Sequence, residues 1–310
     1  MAKRNKILFT IILLFSILGW HLTDSLIVLE GSITPLEIAL QSAGNSRNEL
    51  EKVLLYYREN SSDSLKYRAV CFLIVNMPFY SYLSGKQLEN YKSYYSWLKK
   101  SKGKSPEQVA DSVKKVFGPI GNMVRKRDIL EIDSAYLCHN IEWAFKVWKE
   151  QPWGKNISFD MFCEYILPYR IDDEPLAYWR EMYYEKYNSL LDSLRMSNTL
   201  DKEDPVVAAS YLIERSLDKE HIFTSVTPTS FGHIGPEYVQ YLSGSCREVT
   251  DFCVYLFRAL GIPCMRGIII IPTLAIKMCR YFRNVNLLIY SILHRSLSQR
   301  PLKDKIKKRN

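Results

Sequence analysis

The feature that most constrains the fold is a capped amphipathic stretch in the last quarter of the chain. Ser245 and Glu248 fit the S-x-x-E capping box, which predicts that a helix begins at Cys246. Gly261 stands where a helix C-cap requires it, and Pro263 forbids continuation. The apolar residues between these signals recur at helical spacing: Val249, Phe252, Cys253, Leu256, Phe257 and Leu260. The sequence therefore predicts a helix with a buried stripe and a cysteine in its first turn.

A cysteine in the first turn of a helix is well placed for activation. The exposed N–H groups of that turn stabilise a thiolate, and they can also stabilise the oxyanion of an acyl transfer. Gly244 and Ser245 leave room for a substrate backbone to approach. Cys253, two turns deeper on the apolar stripe, and Cys264, after the helix, lack these advantages and are expected to be inert. From periodicity alone, Cys246 as a nucleophile and Cys246 as a buried structural residue remain equally supported.

The net charge of +9 does not indicate a nucleic-acid partner once it is located. Residues 266–310 hold 11 Lys or Arg and one acid, whereas residues 1–265 hold 31 basic and 32 acidic side chains. The main body is thus neutral, and we expect no nucleic-acid binding from it. The basic tail has two interpretations. One is a membrane-surface segment, and the other, which we favour, is a frameshifted or rearranged gene end.

The first 25 residues have the layout of a secretory signal or an uncleaved anchor. Three basic residues precede an apolar run from Ile7 to Trp20 that is short for a membrane span. Trp20 stands where a lipoprotein signal requires cysteine, so lipid attachment is excluded there. We expect export to the periplasm, the cell envelope or the outside, with membrane association through this segment. The alternative is a buried amino-terminal helix.

Residues 33–203 read as a helical amino-terminal region. Two helical stripes stand out: Leu50, Val53, Leu54 and Tyr57, and Ile141, Ala144, Phe145 and Trp148. Breaks are predicted at residues 60–63, 100–106 and 151–154. Cys71 and Cys163, among apolar neighbours, are expected to be small buried hydrophobes.

Residues 162–180 interrupt this helical rhythm with two prolines and a cluster of tyrosines and charges. They are either a substrate-facing loop beside the cysteine helix or an elbow in which Arg170 and Arg180 pair with carboxylates. Seven cysteines without regular spacing do not make a disulfide framework. No C-x-x-C pair occurs and the histidines lack ligand spacing, so neither a metal nor a cofactor is expected.

The motif Gly244-x-Cys246-Arg247, followed by L-F-R-A-L-G-I-P, resembles the nucleophile helix of the transglutaminase-like superfamily. The stretches Y-I-L-P-Y-R and E-P-L-x-x-W-R look like exported members from Bacteroides-type bacteria, and the resemblance covers about residues 35–264. It implies an α+β fold with a papain-like Cys–His–Asp site. It also implies amide hydrolysis or transfer through a thioester, on a protein or peptide substrate.

Beyond Cys264 the family pattern stops. The family's His and Asp lie on antiparallel strands after the cysteine helix, but this chain offers only His294 and Asp304 there, as very weak candidates. His233 precedes the cysteine and is expected to be exposed. We therefore predict a mostly α-helical chain whose transglutaminase-like core, residues 204–265, lacks most of its sheet. Such a chain is expected to be inactive, with a cysteine helix that has lost its packing partner and is marginally stable.

The alternative hypothesis is an exported helical binding or scaffold protein. In such a protein the cysteine helix would be kept for structure alone. The two hypotheses differ in the reactivity that they predict for the thiol of Cys246.

Overall fold

The computed structural model describes residues 33–59, 61–85, 108, 111–112, 115–116, 123–198, 200–216, 233, 235–240 and 246–266. The chain divides into two compact units, Met1–Ile38 and Ala39–Asn310. Of the first unit, residues 33–38 are described, and they include the start of helix α1. The predicted signal, residues 1–25, lies outside the described residues, as does the basic tail after position 266. None of the described helices is long and apolar enough to cross a lipid bilayer.

The described part of the chain is mostly helical, as the sequence predicts. Its α-helices are α1 Pro35–Ser42, α2 Arg47–Arg58, α3 Ser64–Asn76, α4 Ser134–Glu150, α5 Phe159–Tyr165, α6 Trp179–Tyr187, α7 Asp192–Arg195, α8 Pro205–Ser216, α9 Pro236–Val239 and α10 Cys246–Ala259. Short 3-10 helices span Gly44–Ser46, Ser61–Asp63, Met77–Phe79, Asp128–Leu130, Pro152–Asn156, Asn188–Leu191 and Leu200–Glu203. Strands β1 Ser81–Ser84 and β2 Val124–Arg127 form an antiparallel pair in which Ser81 lies opposite Arg127.

The two predicted helical stripes form the centre of the amino-terminal region. All eight residues of the stripes on α2 and α4 are buried, and the two helices pack against each other. Helix α4 begins where the side chain of Asp133 accepts a hydrogen bond from the backbone N–H of Tyr136, at 2.7 Å. The predicted breaks at residues 60–63 and 151–154 fall between α-helices, where the 3-10 helices Ser61–Asp63 and Pro152–Asn156 lie. The third, at residues 100–106, lies outside the described residues.

Helix α10 ends as its sequence predicts. Gly261 adopts φ +71°, and the N–H groups of Gly261 and Ile262 bond the carbonyls of Arg258 and Phe257 at 3.3 and 2.9 Å. This is the Schellman arrangement, which satisfies carbonyls that a helix end leaves unpaired. A Cβ on Gly261 would also lie 2.7 Å from the carbonyl oxygen of Val147. Glycine is therefore required twice, by its backbone conformation and by the close approach of α4.

The expectation that α10 lacks a packing partner is wrong. Every residue from position 251 to 262 is buried, on all faces of the helix rather than along one stripe. Helix α6 lies against it, with the ring of Trp179 5.1 Å from that of Tyr255 and the rings of Tyr183 and Tyr187 about 6 Å from that of Phe252. The described helical body thus buries α10.

Candidate functional site

Helix α10 begins at Cys246, where the sequence predicts its first turn. The side chain of Cys246 lies outside the described residues, as do Gly244, Ser245, His294 and Asp304. Arg247 is described and half-buried. Its guanidinium donates to the buried carboxylate of Glu248, with Nε and Nη2 at 3.0 and 2.9 Å from Oε1. The amino end of α10 therefore carries one defined ion pair next to the cysteine position.

The other end of α10 is fixed by the buried side chain of Arg258. Its guanidinium donates to the carbonyls of Arg170 at 2.9 Å, Tyr165 at 3.2 Å and Cys264 at 3.3 Å. Trp153 completes this end, since its indole N–H lies 3.1 Å from the carbonyl oxygens of both Leu260 and Gly261. The indole of Trp153 thus satisfies two carbonyls that follow the helix, and Arg258 ties this end of the helix to carbonyls of the 162–180 segment.

A second buried arginine, Arg180, organises the 162–180 segment from within. Its Nη2 donates to the carbonyls of Ile166 and Leu167 at 2.6 and 2.9 Å, and its Nε donates to the side-chain oxygen of Asn140 at 2.6 Å. Burial, and then the charge of Arg258, lower the pKa of Arg180 to about 9. The elbow hypothesis placed this arginine on a carboxylate. Its described partners are neutral oxygens instead, because a bent backbone segment offers several carbonyls at one point.

Arg170 does pair with a carboxylate, as the elbow hypothesis predicts. Its Nε and Nη2 lie 2.5 and 2.7 Å from the two oxygens of Asp128, and both side chains are almost fully buried. The hydroxyl of Tyr169 donates to the same carboxylate at 3.1 Å. Burial raises the pKa of Asp128, and Arg170 offsets only part of that rise. The 162–180 segment thus fits the elbow hypothesis at Arg170 and lies against α10, and its role as a substrate-facing loop stays a prediction.

His233 is buried, and the expectation that it is exposed is wrong. Its Nδ1 lies 2.5 Å from Oδ2 of Asp251 on α10, and its backbone N–H donates to Asp173 at 2.9 Å. Burial lowers the pKa of His233, but the hydrogen bond and charge of Asp251 outweigh burial and raise it above its usual value. The sequence carried one signal for this pair. Asp251 is an acid within the apolar part of a helix, which requires a partner.

The other nitrogen of His233 faces a charged group of side chains. Nε2 lies 3.3 Å from Oδ2 of Asp172 and 2.6 Å from Nη1 of Arg266, which is itself 2.7 Å from that carboxylate oxygen. Asp172, Asp173 and His233 each direct one ligand atom into a space where these atoms lie within 4.8 Å of one another. We call these three residues, with Arg266, the acidic cluster. The sequence did not predict it, because Asp173, the nearer of the two aspartates, is 60 positions from the histidine.

The His233–Asp251 pair lies on a different face of α10 from the cysteine. Asp251 follows Cys246 by five positions, which is a rotation of about 140° and a rise of about 7.5 Å along an α-helix. The other described histidine, His139, faces Glu181 at 3.2 Å. Each of the two described histidines is thus held by a carboxylate elsewhere. Neither is positioned to accept a proton from the thiol at position 246. The arrangement can activate a thiol through the helix end, but the described residues supply no proton acceptor for it.

The remaining described cysteines are buried or half-buried. Burial raises the pKa of Cys253 to about 12 and that of Cys264 to about 11. Cys163 is also buried, with its pKa raised to about 12, and this confirms its prediction as a small hydrophobe. Cys71 is only half-buried, so its prediction as a fully buried residue is wrong.

One face of the 162–180 segment lines a cavity of about 530 Å³, and carbonyls of Pro168 and Arg170 on the same segment bond Arg258 of α10. Aromatic and charged side chains from α3 and α5 complete the wall, among them Arg68, Phe72, Phe159, Asp160 and Glu164. The volume is in the range of small-molecule sites. If the 162–180 segment faces a substrate, this cavity is the described space that could hold it.

Comparison with family models found no match to this chain, and comparisons with curated proteins and with solved structures found none either. The resemblance to the transglutaminase-like superfamily therefore depends on the motif around Cys246 and on the two motifs of the 162–180 segment.

Proposed function

We propose that this chain is a transglutaminase-like cysteine acyl-transfer protein in which Cys246 forms the thioester. The observation that carries the proposal is the position of Cys246 at the first residue of α10. Thiolate formation is favoured there by the helix N–H groups, whereas Cys253 and Cys264 on and after the same helix are held as neutral thiols by burial. This contrast between position 246 and the two buried cysteines supports Cys246 as the nucleophile of the proposal.

The proposal includes slow turnover. Acyl transfer through a cysteine requires a base to accept the thiol proton and an acid to protonate the leaving amine. The described histidines have other partners, and the candidates His294 and Asp304 lie in a stretch that does not follow the family pattern. We expect Cys246 to be acylated by reactive acyl donors and to hydrolyse or transfer the acyl group poorly.

The test is alkylation of the full-length reduced chain with iodoacetamide at a series of pH values, quantified for each cysteine by peptide mass spectrometry. The proposal predicts that Cys246 is labelled with a pH midpoint at least one unit below the ordinary thiol value of about 8.5. Cys253 and Cys264 should remain unlabelled in the folded chain. If Cys246 titrates as an ordinary thiol and reacts no faster than these two, the enzyme hypothesis is wrong.

Two controls make the result interpretable. The urea-unfolded chain should label all seven cysteines at similar rates, which shows that any difference comes from the fold. The variant Cys246→Ala should lose the fast phase while leaving the labelling of the other cysteines unchanged.

A second candidate function is binding without catalysis, and the cavity along the 162–180 segment favours it. In this case α10 serves as the central structural helix, and the cavity of about 530 Å³ takes a small polar aromatic or charged ligand. An ordinary pKa for Cys246, together with a rise in the thermal unfolding temperature on addition of such a ligand, would support this candidate over the first.

Export through residues 1–25 belongs to the same proposal. It is tested by expressing the full chain in a bacterial host and measuring its distribution between cytoplasm and envelope, with residues 1–25 deleted as the control. The frameshift interpretation of residues 266–310 is tested by reading the gene after codon 264 in all three frames. A His-aromatic strand and an Asp in another frame would establish it.

A further inference from the structure

The cavity of about 530 Å³ carries charges of both signs in its wall. Arg68 of α3 contributes a guanidinium. Asp160 and Glu164 contribute two carboxylates that lie four positions apart, on the same side of α5. All three residues are exposed, so a ligand that enters from solvent can reach them. The other arginine of the wall, Arg170, is already paired with Asp128, so Arg68 is the guanidinium that the cavity offers to a ligand.

Arg68 is oriented by an aromatic ring rather than by a carboxylate. Its Cζ lies 4.6 Å from the centre of the Phe159 ring, and it forms no salt bridge with any carboxylate of the described residues. A guanidinium that stacks on a ring keeps the N–H groups at its edges able to donate to a carboxylate. Stacking therefore holds the cation in place while its donors remain available to an anionic group.

Asp160 lies beside this stack without joining it. It follows Phe159 directly in the chain, and its carboxylate is more than 4.0 Å from the guanidinium nitrogens of Arg68. Burial, and then the charge of Asp160, raise the pKa of Cys163 in the cavity wall, whereas the charge of Arg68 lowers it. Both charges thus lie near the same point of the wall but do not neutralise each other by direct contact.

The rest of the wall suits an apolar group. Phe72 and Leu73 of α3 and the buried Tyr169 contribute apolar and aromatic surface. The side chain of Asn76 donates to the carbonyl of Phe72 at 2.8 Å, which leaves its Oδ1 able to accept a further bond. An apolar wall with a few polar groups is the usual composition of a small-molecule site, and it favours a ligand with a side chain over a bare ion.

We propose that this cavity binds an α-amino acid, whose carboxylate bonds Arg68 and whose ammonium group bonds Asp160 and Glu164. The apolar side chain of the ligand packs on Phe72 and Leu73. Because the two charged groups of an amino acid are attached to one carbon, the ligand bridges wall charges that do not reach each other. A simple anion would meet the two carboxylates, and a simple cation would meet the guanidinium. The inference rests on the second candidate function, binding at this cavity, and is independent of acyl transfer by Cys246.

The experiment is isothermal titration calorimetry of the full-length chain with L-phenylalanine, N-acetyl-L-phenylalanine and L-phenylalanine amide. It is run at about pH 6, below the ordinary α-amino pKa of about 7.7. The three probes share one side chain, but acetylation removes the ammonium group and amidation removes the carboxylate. L-phenylalanine should bind as one equivalent. Each blocked probe should bind roughly tenfold more weakly or worse, because it loses a hydrogen bond between charged groups.

Two variants separate the two signs of charge in the wall. Arg68→Gln should weaken binding of L-phenylalanine roughly tenfold and leave binding of the amide unchanged, because the amide has no carboxylate. The double variant Asp160→Asn with Glu164→Gln should weaken binding of L-phenylalanine but not that of the acetylated probe. All three residues are exposed, so the fold should persist, and thermal unfolding checks it. The matched control is Arg58→Gln, an exposed arginine of α2 outside the cavity wall, which should bind as the wild type does.

The outcomes distinguish this inference from the function on which it rests. Equal binding of all three probes by the wild type, or unchanged binding of L-phenylalanine by Arg68→Gln, would overturn the inference and leave binding at the cavity standing. If none of the three probes binds, the inference and the second candidate function are both wrong.

Discussion

The two ends of helix α10 differ in what the molecule builds around them. From Asp251 to Leu260 every residue is buried, Arg258 donates to the carbonyls of Arg170 and Tyr165, and the indole of Trp153 donates to the carbonyl of Leu260. In the first turn, Arg247 and Val249 are only half-buried. The carboxyl end of α10 is therefore held firmly by its surroundings, whereas the amino end, which carries position 246, is less buried.

This difference shows how the described helices and loops hold α10 at one end. The support comes from carbonyls of residues 165–170, to which the buried Arg180 and Arg258 donate, and from the aromatic rings of α6. If this interpretation is correct, damage to the carboxyl-end support should reduce stability strongly. Changes at unsupported surface positions should have little effect.

The largest expected loss follows from Asp128→Ala. Removing this carboxylate leaves the buried guanidinium of Arg170 without its ion-pair partner, in the segment that bonds Arg258, so we expect about 3–5 kcal/mol less free energy of unfolding. Urea denaturation measures it. Glu51→Gln, which breaks the exposed contact to Arg47 at 2.7 Å, is the control and should cost less than about 1 kcal/mol. If both variants lose a similar free energy of unfolding, the buried pair stabilises the protein no more than an exposed surface pair does.

A smaller loss is expected from Gly261→Ala. The left-handed conformation alone costs about 1–2 kcal/mol, and contact of the new Cβ with the carbonyl of Val147 adds to it. Gly44→Ala is the matched control, since its φ is +53° but its Cβ would meet only a leucine methyl at 3.5 Å. Thermal unfolding of the two variants should show a larger fall for Gly261→Ala. An equal fall would mean that α4 does not constrain the helix end.

Cys253→Ser tests whether the deeper cysteine is structural. A hydroxyl buried there without a partner should cost about 1–3 kcal/mol, and Cys253→Ala, which buries no polar group, should cost less than the serine variant. Chemical denaturation gives both values. The alkylation rate of Cys246 should not change in either variant. A stable Cys253→Ser chain would argue that this part of α10 is more open than its burial indicates.

The smallest effect is a loss of stability in alkali. Because burial raises the pKa of Cys253 and Cys264 to about 12 and 11, the folded chain keeps these protons while the unfolded chain releases them above about pH 8.5. The folded state then binds more protons, so stability falls as pH rises through this window. We expect roughly 1 kcal/mol for each thiol between pH 7.5 and 9.5. Cys253→Ala should show a shallower pH dependence, and an unchanged slope would contradict the buried-thiol account.

The local features of α10 were predictable from sequence, and its surroundings were not. The start of the helix, its Schellman end and the periodicity of its apolar residues each depend on residues within a few positions of one another. The sequence therefore predicts them directly. The pairing of His233 with Asp251, and of Arg170 with Asp128, joins residues 18 and 42 positions apart. The acidic residue inside an apolar helix indicates that a partner exists, but not which one.

The clearest single test of the account is acylation of the full chain by p-nitrophenyl acetate, with the thiolate attacking the ester carbonyl and nitrophenolate leaving. We predict one equivalent of nitrophenolate in a fast burst, one acetyl group on Cys246 by peptide mass mapping, and slow release afterwards. The burst should disappear in Cys246→Ala. A burst that persists in that variant, or acetyl groups spread over other cysteines, would contradict the claim that α10 presents Cys246 as a nucleophile.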